Sequence, residues 1–127
     1  MELTPLVPAG RQVIERYGES GFRVAGVIYR SSVLVFPDRT LPWSVTSASD
    51  VTWESLTAVV EHGGVRILLL GFGRAMRAVP PALRSAFQAA GIVLEPMDTG
   101  AACRTYNVLV AEDRRVAAAL LPLSGSQ

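Results

Sequence analysis

The chain contains no lysine: all twelve of its basic residues are arginine. That absence excludes a P-loop lysine, a Schiff-base lysine and the phosphate-binding lysine of kinases. A single cysteine, Cys103, excludes an internal disulfide and suits a reducing compartment. One histidine, His62, and one cysteine fall short of the three or four protein ligands of a zinc site, so neither metal nor cofactor is expected. Long apolar runs are missing as well. The longest, Val65 to Phe72, is interrupted by Arg66 and is far too short to span a bilayer. The opening stretch MELTPLVPAGRQVIERYG has an early acid and no apolar run, so it does not read as a secretory signal. A net charge of +1 gives no argument for nucleic acid or for an acidic membrane surface. The expectation is a soluble, cytoplasmic protein with no nucleic-acid partner and no transmembrane segment.

What is present is a globular composition, half hydrophobic and 18% charged over 127 residues. That is enough for one domain with its own core. We expect 1–21 to form an N-terminal arm, 22–122 the core and 123–127 a flexible tail. FRVAGVIY and SVLVF, separated by Arg30-Ser31, read as a β-hairpin. PDRTLPW reads as a loop and SVTS as a short third strand. DVTWESLTAVVEHGG reads as a helix capped by Thr52 and stopped at Gly63, with Trp53, Leu56, Val59 and Val60 as its apolar stripe. VRILLLG, Val65 to Gly71, is continuously apolar and belongs in the middle of a sheet. Pro80-Pro81 open a second helix that carries Leu83, Ala86, Phe87 and Ala90 and stops at Gly91. IVLEPM follows as a strand. Asp98 or Thr99 then caps a third helix, with Ala102, Cys103, Tyr106, Leu109 and Val110 on one face, and RVAAALLP is the last strand. The fold class is α/β, an N-terminal hairpin region joined to a central mixed sheet with flanking helices.

Few residues suggest chemistry. Gly71-Phe72-Gly73-Arg74-Ala75-Met76 follows a strand but lacks the third glycine of a dinucleotide fingerprint, and the next helix starts late. The bland account is a tight turn leaving the sheet. Arg74 and Arg77 in the loop offer cations to an anion or to a partner's carboxylate. His62, in the last turn of its helix, is explained by the helix dipole. Cys103 lies in the second turn of the third helix on an apolar face, where a free cysteine is ordinarily a small buried hydrophobe. Asp98, Thr99, Arg104 and Asn107 gather near the start of that helix. Capping explains the first two, but Asn107 is a poor mid-helix residue and should hydrogen-bond something specific. Trp43 and Trp53 read as packing residues.

Several of these stretches resemble one family. YGESGFRVAGVIYRSSVLVFP, PW, LLLGFG, PPALRSAF and above all MDTGAACRTYNVLVAEDRRVAAALLP are similar to the small domain shared by the mitochondrial complex I assembly factor three and its uncharacterised bacterial relatives. The resemblance covers about residues 11 to 122. It implies a three-layer α/β fold and a protein-interaction or assembly role without established catalysis. It also implies partners among respiratory-chain subunits or assembly factors, and allows peripheral association with the inner membrane. Between the loop glycines, where the family has a small or polar residue, this chain has Phe72.

Two functions follow as expectations. The first is a non-enzymatic protein-interaction or assembly module whose face comprises Gly71, Phe72, Gly73, Arg74, Asp98, Thr99, Arg104 and Asn107. The alternative is a small-ligand or anion binder, or a cryptic enzyme, using a cleft between the Gly71–Gly73 loop and the Asp98-Thr99 helix start.

Overall fold

The structure is a computed structural model, and it describes residues 10–124. The far end of the expected N-terminal arm, 1–9, and the end of the expected tail, 125–127, lie outside the described residues. Among the described residues, eight strands form two sheets. Strands β1 (Ile14–Tyr17), β2 (Phe22–Val24) and β3 (Val27–Tyr29) make an antiparallel three-stranded sheet in that order. The larger sheet contains β4 (Ser32–Val35), β5 (Thr40–Trp43), β6 (Ile67–Phe72), β7 (Val93–Met97) and β8 (Val116–Leu121). Its order is β5-β4-β8-β6-β7. It is mixed: β6 runs parallel to both β7 and β8, while β4 runs antiparallel to β5 and β8.

Strand alternation divides the core between the two faces of this sheet. From β8, Ala117, Ala119 and Leu121 turn to one face, joined by Leu68, Leu70 and Phe72 of β6. Helices α1 (Thr57–His62) and α2 (Pro81–Ala89) cover that face with Val59, Leu83 and Phe87. Val116, Ala118 and Leu120 turn to the other, where Cys103, Tyr106 and Val110 of α3 (Thr99–Ala111) pack beside Ile14, Phe22 and Val24 of the small sheet. With helices on one side and helix plus small sheet on the other, the arrangement is the expected three layers. Small residues in β8 let the layers approach closely, and all six residues of that strand are buried.

Local signals account for most boundaries. Asp98 caps α3 by accepting the Ala101 N–H at 2.9 Å. Pro81 opens α2, and Gly63 ends α1 in the left-handed region at φ 80°. Thr52 Oγ1 accepts the Ser55 N–H at 3.2 Å, but it opens a 3₁₀ turn, Glu54–Leu56, ahead of a six-residue α1. Trp43 is buried with its Nε1 donating to the Ser55 carbonyl at 2.8 Å. Trp53 packs on Phe87 with ring centroids 4.8 Å apart.

Two expectations are corrected. The hairpin turn lies inside FRVAGVIY, at Ala25-Gly26, where both residues take positive φ of 48° and 81°. Arg30-Ser31 instead carries the chain from the small sheet to the large one. PDRTLPW is not all loop, because TLPW is β5, paired with β4 with Pro42 opposite Val33. Ser44–Ser47, expected as a strand, lies beyond that strand's end. A proline is tolerated in β5 because it is an edge strand, with no second neighbour needing the missing N–H.

Candidate functional site

Strand β6 delivers Gly71, Phe72 and Gly73 to the carboxyl edge of the sheet, beside the start of α3. Gly73 turns the chain at φ 82°. Its carbonyl accepts the Thr99 N–H at 2.7 Å, and its own N–H donates to Thr99 Oγ1 at 2.8 Å. The same hydroxyl donates to the Leu121 carbonyl at 2.6 Å. Thr99, fully buried, therefore ties the ends of β6 and β8 to the first residue of α3. Gly71 is fixed by close approach, since a Cβ there would stand 2.9 Å from Leu120 Cδ2 and 3.0 Å from Thr99 Oγ1. The space between the glycine loop and the helix start is thus occupied by hydrogen bonds and by Thr99 itself.

Phe72 departs to the opposite face. Strand alternation puts it with Leu68 and Leu70, where it is buried against α1 and α2. There it forms part of the wall of a cleft of about 350 Å³, with Val51, Val79 and Leu83 beside it and Ser49 and Arg77 at the same opening. The eight residues expected as one face are thereby divided. Gly71, Gly73, Asp98 and Thr99 meet, whereas Phe72 serves the other layer.

Arg74 and Arg104 are exposed on either side of the β1–β2 turn. Arg74 forms an ion pair with Glu19. Arg104 Nη1 donates to Tyr17 Oη at 3.2 Å. Gly100 lies beneath that phenol, where a Cβ would come within 2.7 Å of Tyr17 Oη. Further along α3, Asn107 Nδ2 donates to the Ile14 carbonyl at 2.8 Å while its Oδ1 accepts the Ile14 N–H at 3.1 Å. The specific partner expected for Asn107 is therefore the backbone of β1.

The titratable groups divide between the layers. Cys103 is buried among Ala102, Tyr106 and Leu120. Burial pushes its thiol well above the usual range, against a smaller opposing pull from Arg104. Tyr106 is raised by burial too, and its hydroxyl donates to the Gln12 carbonyl at 2.8 Å. His62 sits in the other layer, stacked on Phe36 at 4.6 Å between centroids. Its Nδ1 accepts the Gly64 N–H at 3.2 Å, so Nε2 carries the hydrogen that meets Asp38 Oδ1 at 2.8 Å. That hydrogen bond lowers the Asp38 carboxyl below its ordinary value. Among the described residues no three His, Cys, Asp or Glu side chains converge as a metal site. No helix among them is long and apolar enough to cross a membrane.

Sequence reasoning missed two features of the carboxyl edge. One is the cleft beside Phe72, which the alternation Leu68, Leu70, Phe72 would have located. The other is a recess of about 300 Å³ at the start of β4, bordered by Arg30, Ser32, Thr46 and Pro122. The Ser32 hydroxyl is the buried side-chain polar atom left without a hydrogen-bond partner among the described residues. No local sequence pattern announces it.

A mixed sheet covered by α1 and α2 on one face, and by α3 and a three-stranded sheet on the other, is the architecture of the Mth938-like domain. The solution structure of a Bordetella pertussis protein described as a Mth938-like domain matches with a TM-score of 0.83 at 27% identity, covering 99% of this chain and 95% of that one. The chain belongs to the family described as a protein of unknown function, DUF498/DUF598, which matches residues 14–121. It is 40% identical to an uncharacterised protein of Rhodobacter capsulatus, over 93% of this chain and 90% of that protein. It is also 34% identical to NADH dehydrogenase [ubiquinone] 1 alpha subcomplex assembly factor 3 of Xenopus tropicalis, over 86% of this chain. The match spans 60% of the length of that assembly factor.

Proposed function

We propose that the chain is a non-enzymatic protein-interaction module that serves the assembly of a larger complex. Its contact face is the corner formed by the loop after β6, the first turns of α3 and the β1–β2 turn. The observation that carries this reading is which groups of the corner remain turned outward. Gly71, Gly73 and Thr99 are buried, whereas Arg74, Met76, Arg77 and Arg104 are exposed, Met76 by 60%. Arginine and methionine are enriched at protein interfaces, and arginine often dominates their energetics. The relatives named as assembly factors support the class of task. They support our reading of respiratory complex I as the complex served and of its subunits or assembly factors as the partners, and we place the work at the inner-membrane periphery as part of the same proposal.

The alternative, a small-ligand or anion binder or a cryptic enzyme at the Gly71–Gly73 and Asp98-Thr99 junction, has less support. The polar groups there already satisfy one another, and a neutral, buried thiol is not a poised nucleophile. Recovery of bound proteins from native membranes, with wild type against Arg74→Ala/Arg104→Ala, tests the proposal. Loss of two interfacial arginines should lower recovery by about tenfold or more. Unchanged recovery counts against this face.

A further inference from the structure

The outer face of the three-stranded sheet carries an arrangement that folding alone does not explain. Arg16 stands directly opposite Arg23 in the β1/β2 ladder, and Arg23 stands opposite Ile28 in the β2/β3 ladder. Two arginines and an isoleucine thus form one row across the sheet. Like charges directly opposed across a strand pair are destabilising. Only one of the two is matched: Glu15 Oε1 accepts Arg23 Nε at 2.9 Å and also takes the Gly26 N–H at 2.8 Å. Among the described residues no carboxylate pairs with Arg16 or with Arg30. Arg16, Arg23, Ile28 and Arg30, with Gly18 and Gly21, line one recess of about 250 Å³.

Ile28, in that row, is 63% exposed, and Val27, opposite Val24 on the other face of the same strand, is 51% exposed. β3 is also the terminal strand of its sheet. Both edges of the larger sheet are blunted by a proline, Pro42 in β5 and Pro96 in β7, a device that resists strand addition. β3 has no proline, so it is an open edge, with Ile28 in the arginine row and the unmatched Arg30 at its end.

We propose that this face docks an acidic, extended segment of a protein partner. Its carboxylates lie on the outer face toward Arg23 and Arg30, within the field of Arg16, and its apolar side chains lie on the other face beside Val27. A nucleic acid or an anionic lipid headgroup would engage the guanidinium groups and leave Val27, on the other face, in water. An extended peptide that alternates carboxylate and apolar residues engages both, because successive side chains of a strand alternate in direction. The inference rests on the reading of the chain as a protein-interaction module and adds the chemistry of its partner.

The test titrates the isotope-labelled full chain with a probe peptide of about eight residues, strand length, alternating glutamate with valine. A second peptide with glutamine for each glutamate and vesicles of phosphatidylglycerol are the other arms. Amide shifts should concentrate in residues 16–30, with the glutamate probe binding about tenfold or more tightly than the glutamine probe. Arg16→Glu/Arg30→Glu should remove that preference, and added salt should weaken it. Arg16→Gln/Arg30→Gln serves the same purpose if charge reversal disturbs the sheet. Equal binding of the two peptides, shifts centred outside 16–30, or binding to vesicles without binding to the glutamate probe overturns the proposal. If the probe fails while Arg74→Ala/Arg104→Ala still abolishes partner recovery, the docking surface is wrong and the interaction role stands. If the probe binds as expected while recovery ignores Arg74 and Arg104, the corner face is wrong instead.

Discussion

Asn107 on α3 holds both backbone polar groups of Ile14 on β1, donating to its carbonyl and accepting its N–H. β1 is an edge strand, so Ile14 has no neighbouring chain on its outer side, and the one asparagine of the sequence completes it as a partner strand would. Tyr106, one residue earlier, repeats the device on the Gln12 carbonyl. These polar side chains of α3 fasten the small sheet to the large one.

Replacing Asn107 by Ala should therefore cost about 1–3 kcal/mol, because a half-buried N–H and C=O lose their partners together. Asn107→Asp keeps the acceptor but loses the donor and sets a carboxylate against the Ile14 carbonyl, so it should be no milder. Urea denaturation of the three proteins measures this, and a change under about 0.5 kcal/mol, ordinary for a surface site, would refute the role.

Thr99→Val should leave the Gly73 N–H and the Leu121 carbonyl without their side-chain partner in a fully buried place. About 2–4 kcal/mol is expected, each unsatisfied group contributing on the order of 1–2 kcal/mol. Thr99→Ser retains the hydroxyl and should be markedly milder. Chemical denaturation that ranks Ser below Val in stability would contradict the assignment.

Cys103 should resist alkylation in the native protein and react once denaturant exposes it. Burial raises both Cys103 and Tyr106, so each keeps its proton in the folded chain at a pH where the unfolded chain releases it. The unfolded state then binds fewer protons, and stability falls as pH rises above the ordinary thiol value of 9.0. Cys103→Ala should flatten the alkaline limb of a stability–pH curve by one proton. A curve with the same slope in both proteins would show that the thiol is not sealed.

Asp38 provides the acid-side counterpart. Its carboxyl is lowered, chiefly by the hydrogen bond from His62, so its contribution is present above the ordinary value of 3.8 and is lost as pH falls through the lower folded value. The side chain is 56% exposed, which limits the effect to under about 1 kcal/mol. Asp38→Ala should thus differ slightly from wild type near neutrality and converge with it in acid; a gap that widens in acid would reverse the sign.

The sheet and helices were legible where periodicity was strong. VRILLLG and RVAAALLP, apolar on both faces, became the adjacent parallel strands β6 and β8, and the Pro and Gly punctuation located α2 closely. The hairpin was misplaced because its turn is Ala25-Gly26. An alanine at positive φ is not a turn signal, and FRVAGVIY reads as one unbroken β-rich run. β5 was concealed by Pro42, which argues against a strand unless the strand is known to lie at an edge.

At the candidate site the residue types pointed to a corner where Gly71, Gly73, Asp98 and Thr99 do come together, but not to their roles. Asp98 and Thr99 were legible as capping residues. The second and third hydrogen bonds of Thr99 depend on where Gly73 and Leu121 arrive in space. Asn107 was legible as needing a partner, but that partner lies 93 residues away in sequence. The arginine row on the small sheet was invisible, because Arg16, Arg23 and Arg30 come together only once the register of β1, β2 and β3 is known.

The central claim is that the outward corner beside α3 contacts another protein. A photo-crosslinking amino acid placed at position 76, in the exposed loop, tests it most directly against the same group at position 85, on the exposed side of α2. Discrete protein adducts are expected in the native host from position 76, weakened by Arg104→Ala, and none from position 85. Equal adducts from both positions, or none from position 76, would contradict it.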